Sequence, residues 1–112
     1  ILTDDGQAYK TSCTIDGQEM AQLMFVVGTD DGGLTHPDWR DNLNYVTGLQ
    51  YELNRAYPGL MRPVNLRTQR FNQHVRTGSM LVEVGSSGNT LPEALAAIRL
   101  FGQTLADDLN DV

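Results

Sequence analysis

The chain has 112 residues, an apolar share of 40% and a formal net charge of −6. This length fits one small domain, and the composition is ordinary for a globular chain. The acidic balance argues against nucleic acid as a partner. No apolar run approaches the ~20 residues of a membrane span. The single cysteine, Cys13, excludes an internal disulfide, and we interpret it as a half-buried strand residue.

The first third of the chain predicts a hairpin. Residues 9–15 alternate loosely between polar and apolar side chains and predict a strand. The Asp16-Gly17 pair that follows is typical of a two-residue hairpin turn. Residues 19–28 form an apolar run, which predicts one buried strand pairing with the first.

A helix is predicted after the loop at 29–34. That loop contains Asp30 and Asp31 but lacks the ligand rhythm of a calcium loop. We expect Thr35 or His36 to cap the helix, and Tyr57 to end it. A metal or catalytic role is the alternative for His36. The core-facing side chains are predicted to be Trp39, Leu43, Val46, Leu49 or Gln50, Leu53 and Ala56.

A basic segment follows, within which residues 63–67 predict a short strand. Between residues 58 and 82 there are four arginines and no acid, namely Arg62, Arg67, Arg70 and Arg76. A locally basic strip on an acidic protein suits an anionic small ligand such as a carboxylate. The alternative is a solvated face that balances acidic neighbours.

The stretch 79–93 predicts a strand, a glycine-rich turn and a helix. Its apolar run indicates a buried strand, interrupted by Glu83. Three interpretations of Glu83 are open. It is an edge-strand residue facing solvent, an acid paired with an arginine, or a general base with a tuned pKa. Thr90 and Glu93 match a capping box at the start of the next helix.

The last helix is predicted over 91–109. Its apolar stripe is predicted to consist of Leu95, Ile98, Phe101 or Gly102, Leu105 and Leu109. The element order β, β, α, β, β, α predicts an α/β domain with helices packed on a small mixed sheet.

Several motifs, taken in order, resemble the stage II sporulation protein P family. They are 24–30 (Met-Phe-Val-Val-Gly-Thr-Asp), 36–39 (His-Pro-Asp-Trp), 42–43 (Asn-Leu), 57–60 (Tyr-Pro-Gly-Leu), 70–73 (Arg-Phe-Asn-Gln), 81–85 (Leu-Val-Glu-Val-Gly), 89–91 (Asn-Thr-Leu) and 93–94 (Glu-Ala). Each motif is weak alone, but their joint order spans nearly the whole chain.

The resemblance implies a peptidoglycan hydrolase similar to the zinc-dependent N-acetylmuramoyl-L-alanine amidases. It implies an extracytoplasmic, membrane-anchored parent that acts during spore engulfment with sporulation proteins D and M. Glu83 matches the family's acid and would be the general acid/base, whereas Arg70, Asn72 and Gln73 are expected to bind substrate. A non-catalytic module that binds cell-wall peptide or glycan is the alternative.

The resemblance also implies zinc in the intact parent, held by histidines in two motifs that do not occur here. Only His36 and His74 are present, whereas a catalytic zinc has three protein ligands. We therefore expect residues 1–112 to be the carboxyl-terminal part of an amidase-like catalytic domain, without zinc or activity of its own. Strands lost from one side of the sheet would leave an exposed edge, so we expect a homo-oligomer.

Overall fold

Two small sheets and two long helices make up residues 2–110, the part of the chain that the computed structural model describes. The strands are β1 (Ser12–Ile15), β2 (Gln18–Ala21), β3 (Leu23–Gly28), β4 (Asn65–Arg67) and β5 (Leu81–Val84). The helices are α1 (Trp39–Ala56) and α2 (Leu91–Asn110), with a 3₁₀ turn at Gln73–Val75 between β4 and β5. These elements confirm the α/β class. Neither α1 nor α2 is long and apolar enough to cross a membrane.

The predicted hairpin turn is confirmed. β1 and β2 are antiparallel, with Ile15 opposite Gln18, so Asp16 and Gly17 alone form the loop. Both loop residues have positive φ, 50° and 78°, as a type I′ turn requires. Cys13 is half-buried in β1, as expected.

The prediction of one strand over residues 19–28 is wrong, because the run divides at Gln22. β2 pairs with β1 in a two-stranded sheet, whereas β3 is the centre of a second sheet with the order β4-β3-β5. Gln22 links the two sheets: its N–H donates to Thr11 O at 3.2 Å, and its carbonyl accepts from Gly85 N at 2.8 Å. The apolar pattern continues through this change of partner, so it hides the division.

The core lies on one face of β3. Leu23, Phe25 and Val27 alternate along the strand and pack against α1 and α2. The rings of Phe25 and Phe101 meet edge to face, with centroids 5.9 Å apart. Both helices therefore cover the same face of the three-stranded sheet.

Helix α1 begins later than predicted, and neither Thr35 nor His36 is its cap. Asp38 precedes the first helical residue and makes no side-chain capping bond. The predicted core positions Val46, Leu49 and Leu53 are buried, whereas Ala56 is exposed.

Helix α2 buries a different face from the predicted one. Ala96, Ala97 and Phe101 are the buried residues, because small alanines let the helix lie close to β2. Of the predicted stripe, Phe101, the alternative to Gly102, is buried, Ile98 and Leu105 are half-buried against the core, and Leu95 and Leu109 are exposed. At 100° per residue, the leucine stripe lies roughly 120° around the helix from the buried face.

The strand that carries Glu83 is an edge strand and not a buried one. Within residues 2–110, β5 pairs with β3 alone, antiparallel, with Glu83 opposite Met24. Val82 and Val84 pack against the core, whereas Leu81 and Glu83 are exposed on the opposite face. An apolar run occurs in strands that are covered on one face as well as in strands that are covered on both, so the sequence did not distinguish the two cases.

Candidate functional site

The segment after β4 crosses closely over the end of β3 at Gly28. A Cβ at this position would lie 2.4 Å from Gln69 O and 2.7 Å from Arg70 Cα. Real Cβ atoms do not approach backbone this closely, so only glycine fits here. The crossing places residues 68–72 at the carboxyl ends of the parallel pair β3 and β4, where α/β sheets commonly bind ligands.

Gln73, predicted to bind substrate, lies buried against β3. Its side chain is 3% exposed. The amide Oε1 accepts from Gly28 N at 2.9 Å, and Nε2 donates to Val26 O at 2.9 Å. The side chain therefore bonds the strand as a neighbouring backbone would. A contact with substrate stays a prediction for Gln73.

Asn42 is the buried polar residue that sequence reasoning missed. It is 1% exposed on α1, where Nδ2 donates to Gln73 O at 3.3 Å and Oδ1 accepts from Gly78 N at 2.7 Å. It thereby ties the 3₁₀ turn and the approach to β5 to the helix. The available signal was its helical spacing with Val46 and Leu49, which puts an amide on the core side.

His36 and His74 lie beside this amide cluster. His36 is 1% exposed, with Nε2 3.4 Å from Asn42 Nδ2, and its buried Nδ1 has no partner within residues 2–110. The two imidazole centroids are 6.4 Å apart. Desolvation lowers the pKa of His74, and the charges of Arg70 and His36 lower it further. The neutral form of His74 is therefore favoured.

The described residues do not fit a catalytic zinc. Across residues 2–110, no three His, Cys, Asp or Glu side chains are grouped so that they could hold a metal. Two imidazoles fall short of the three protein ligands of a catalytic zinc, and the adjacent Arg70 disfavours a cation.

A surface groove lies over the Gly28 crossing and brings two predicted site residues together. Its lining residues are Gly32, Leu34, Thr68, Gln69, Arg70, Phe71 and Asn72. Arg70 Nη1 donates to Thr35 O at 2.9 Å, which fixes the guanidinium at the groove wall. Asn72 is exposed and free to meet a ligand.

Phe71 has a strained backbone at this groove, and Asn72 beside it shares the left-handed conformation. Their φ values are 50° and 60°, in the left-handed region that a bulky residue such as Phe rarely adopts. Phe71 is also 40% exposed, and the Arg67 guanidinium lies 5.9 Å from its ring centroid. Strain and an exposed aromatic ring at one place indicate a binding surface. Neither feature was visible in the sequence.

The basic strip is divided by the fold. Arg67 and Arg70 lie at the carboxyl ends of β3 and β4, whereas Arg62 lies at the other end of β3, with its N–H 2.7 Å from Leu23 O. None of the strip's arginines pairs with a carboxylate within the described chain. Asp30 and Asp31 line a neighbouring groove together with Arg67.

Glu83 lies apart from this groove. It is paired opposite Met24, four residues along β3 from Gly28, which corresponds to about 13 Å. Its exposed carboxylate makes no hydrogen bond or ion pair with residues 2–110. The pairing with an arginine, one of the three alternatives for Glu83, is therefore absent from the described part of the chain. The face that carries Glu83 is the one that α1 and α2 leave uncovered.

The turn after β5 is fixed by Asn89. Its Oδ1 accepts from Ser86 N at 2.8 Å and from Thr11 N at 3.2 Å, and Nδ2 donates to Thr11 O at 2.8 Å. An added Cβ on Gly85, where φ is 62°, would lie 2.5 Å from Asn89 Oδ1. The turn that ends the Glu83 strand is thus held to the segment before β1.

The predicted capping box at the start of α2 is confirmed. Glu93 Oε1 accepts from Thr90 N at 2.8 Å, and Glu93 N donates to Thr90 Oγ1 at 3.3 Å. Lys10 Nζ lies 3.1 Å from Glu93 and 3.1 Å from Glu19. The Thr90 backbone bond, followed by the Lys10 contact, lowers the pKa of Glu93 to about 2.

Residues 3–106 match the family described as Stage II sporulation protein P. The chain belongs to the stage II sporulation protein P family. At the level of that family, membership implies a cell-wall hydrolase role in sporulation engulfment. No curated protein matches the chain. No solved structure matches it either.

Proposed function

We propose that this stage II sporulation protein P chain is the carboxyl-terminal part of a peptidoglycan hydrolase, an N-acetylmuramoyl-L-alanine amidase or endopeptidase in the intact parent. The family match over residues 3–106 is the observation that carries the proposal. The proposal includes a membrane-anchored extracytoplasmic parent and sporulation proteins D and M as partners.

Glu83 is the general acid/base of the proposed reaction. A substrate can reach its carboxylate, because the side chain is exposed on the sheet face that α1 and α2 leave uncovered. Pairing of β5 with β3 fixes the position of its backbone. As a base it takes a proton from the water that attacks the amide carbon. It then returns this proton to the leaving nitrogen as the carbon–nitrogen bond breaks. In this proposal zinc is held by the intact parent, since the described residues do not supply a ligand set.

Arg70 and Asn72 bind the stem peptide in this proposal, and Gln73 supports them. The fixed guanidinium of Arg70 suits a peptide carboxylate, and the exposed amide of Asn72 suits a peptide group. Gln73 orders the segment through its bonds to β3. Gly28, beneath the groove, lies about 13 Å along β3 from Met24, the partner of Glu83, so the groove would hold a part of the substrate remote from the bond that is cut.

The decisive experiment compares Glu83→Gln with wild type in the full-length parent, using purified sacculi and measuring the release of soluble fragments. We expect Glu83→Gln to lose at least 100-fold of the rate, consistent with the contribution of a general base, about 10²–10⁴. Its melting temperature should be unchanged, because the carboxylate has no partner among the described residues. Glu52→Gln, also exposed, is the matched control and should retain full activity. Full activity in Glu83→Gln would refute its role.

A cell-wall binding module is the second candidate, favoured by the groove itself. Arg70, Phe71 and Asn72 offer a cation, an apolar ring and an amide side by side. In this case the zinc-loaded parent would bind sacculi without releasing fragments, and Arg70→Gln would weaken binding. Release of fragments by the parent would exclude a purely binding role.

A further inference from the structure

The surface groove over the Gly28 crossing lies between two pieces of the chain, the loop 29–36 and the segment 67–73. Backbone contacts join the two pieces near their starts. Gly32 N donates to Thr68 O at 3.1 Å, and a Cβ built on Gly32 would lie 2.7 Å from the same oxygen. This part of the groove is therefore held without help from side chains of the loop.

Side chains join the same two pieces near their ends. Arg70 Nη1 donates to Thr35 O at 2.9 Å in an exposed contact. In a buried contact, His36 Nε2 lies 3.4 Å from Asn42 Nδ2, which in turn donates to Gln73 O at 3.3 Å. Through Asn42, the last residue of the loop is therefore linked to the last residue of the opposite segment.

Backbone groups fix which way the Asn42 amide faces. Its Oδ1 accepts from Gly78 N at 2.7 Å, and a backbone N–H can only donate. Its Nδ2 donates to Gln73 O, and a carbonyl can only accept. His36 therefore meets an N–H donor, so its Nε2 is the acceptor and the ring proton is on Nδ1. A proton on Nε2 would set two N–H groups against each other.

The Nδ1–H group of this tautomer does not stabilise the ring. His36 is 1% exposed, and its buried Nδ1 has no hydrogen-bond partner within residues 2–110. A buried donor without an acceptor lowers stability, and an apolar side chain of similar size would avoid this cost. An imidazole at this position is therefore better explained by the amide that its Nε2 orients than by its own contribution to stability.

We propose that His36 is a positioning residue of the groove. As the neutral Nδ1–H tautomer it orients the Asn42 amide, which holds the carbonyl of Gln73 and with it the preceding residues 70–72. Phe71 has a left-handed backbone, and such a conformation persists only where the surrounding structure holds it. This role rests on the proposed function, since the groove is taken there as the site that binds the stem peptide.

Binding of the full-length parent to purified sacculi, measured by cosedimentation on ice, tests this role. His36→Gln and His36→Asn introduce the same amide, but only the glutamine amide extends as far from the backbone as Nε2. We expect His36→Gln to keep the affinity within about twofold and His36→Asn to weaken it about tenfold, the equivalent of roughly one hydrogen bond. His36→Leu should weaken binding equally and is the second variant if His36→Asn does not fold. His74→Gln, at the exposed neighbouring histidine, is the control and should bind as wild type does.

Hydrolysis of sacculi separates positioning from folding. Because the groove is remote from the bond that is cut, His36→Asn should raise KM about tenfold and leave kcat unchanged. A residue that only stabilised the fold would instead lower kcat with the folded fraction and leave KM unchanged. Unchanged affinity in His36→Asn would overturn the role of His36, and unchanged affinity in Arg70→Gln would overturn the groove as well. A parent without hydrolysis would refute the proposed reaction, and the affinities would still decide the role of His36.

Nitrogen NMR of the 112-residue chain tests the tautomer without any substrate. With ¹⁵N-labelled histidine, the spectrum distinguishes a protonated ring nitrogen from an unprotonated one. The His74→Gln variant leaves His36 as the only histidine, so its signals are assigned directly. We expect a protonated Nδ1 and an unprotonated Nε2 at neutral pH. A proton on Nε2 would overturn the proposal, because the ring could then not accept from Asn42.

Discussion

The two ends of β5 are held by asparagine side chains in different surroundings. Before the strand, Asn42 accepts from Gly78 N inside a buried amide cluster that includes Gln73. After it, half-buried Asn89 bonds Ser86 N and Thr11 beside the Lys10–Glu93 ion pair. The first anchor uses neutral amides away from water, and the second is reinforced by ionised groups. The start of β5, the strand that carries Glu83, is thus held by neutral groups alone. The end of β5 is held by a neutral amide together with an ion pair.

Asn42→Ala should have the largest effect on stability. It leaves Gln73 O without a partner in a buried site and Gly78 N without one in a part-buried site, and each lost bond costs about 1–3 kcal/mol. We expect the free energy of unfolding to fall by about 2–4 kcal/mol in urea denaturation. Asn44→Ala, on the exposed side of the same helix, is the control and should change it little. Equal effects of the two variants would show that the buried cluster does not hold this end of β5.

Asn89→Ala should cost less than Asn42→Ala. Three backbone groups lose a hydrogen-bond partner, one more than in Asn42→Ala. Asn89 is half-buried, however, so water can replace part of what its amide provides. We expect a loss of about 1–2 kcal/mol by urea denaturation. Asn54→Ala on α1 serves as the exposed control. A loss larger than that of Asn42→Ala would reverse the ranking of the two anchors.

Acid should weaken the Asn89 end selectively. The pKa of Glu93 is about 2 in the folded chain against an ordinary value of 4.5, so its stabilising contribution is complete above pH 4.5. This contribution is lost as the pH falls from 4.5 towards 2. The free energy of unfolding of wild type and of Glu93→Gln should be measured as a function of pH. The difference between the two free energies should become smaller as the pH falls from 4.5 towards 2. Asp5, whose pKa is also lowered, is present in both proteins, so it does not enter the difference.

Parallel curves for the two proteins between pH 4.5 and 2 would contradict the assignment to Glu93. The Asn42 anchor of Asn42, Gln73 and Gly78 has no ionisable side chain, so the protection of Gly78 N–H against hydrogen exchange, relative to the intrinsic rate at each pH, should change little, whereas the protection of Ser86 N–H should fall.

Glu83→Gln should have the smallest effect on stability. The carboxylate is exposed and unpaired among the described residues, so we expect a change within about 0.5 kcal/mol. Thermal unfolding of the 112-residue chain measures it. A large loss would revive the structural interpretation of Glu83 as half of an ion pair.

Local signals were the part of the fold that the sequence predicted well. Asp16-Gly17 and the Thr90–Glu93 capping box depend on adjacent residues, and both were confirmed. The core positions Val46, Leu49 and Leu53 follow from helical spacing.

Features that depend on distant partners were not predicted. Nothing near Gln22 marks the division between the sheets, since its partners Thr11 and Gly85 lie elsewhere in the chain. The edge position of β5 and the shifted face of α2 likewise depend on what packs against them. In the candidate site, Arg70 and Asn72 line the same groove, which their closeness in sequence already suggested. The bonds of Gln73 to β3 could not be predicted, because they depend on the crossing of the chain over Gly28.

The division at Gln22 has a consequence for how the chain acquires its shape during translation. The β1–β2 hairpin can close within about 1–10 μs of leaving the ribosome, because its contacts are local. β3 is synthesised immediately afterwards, yet both of its neighbours, β4 and β5, follow α1 in the chain. β3, the most apolar strand, therefore remains unpaired on both sides until α1 and the strands after it have been synthesised. Nascent chains stalled within α1 should be the most prone to aggregate or to recruit chaperones.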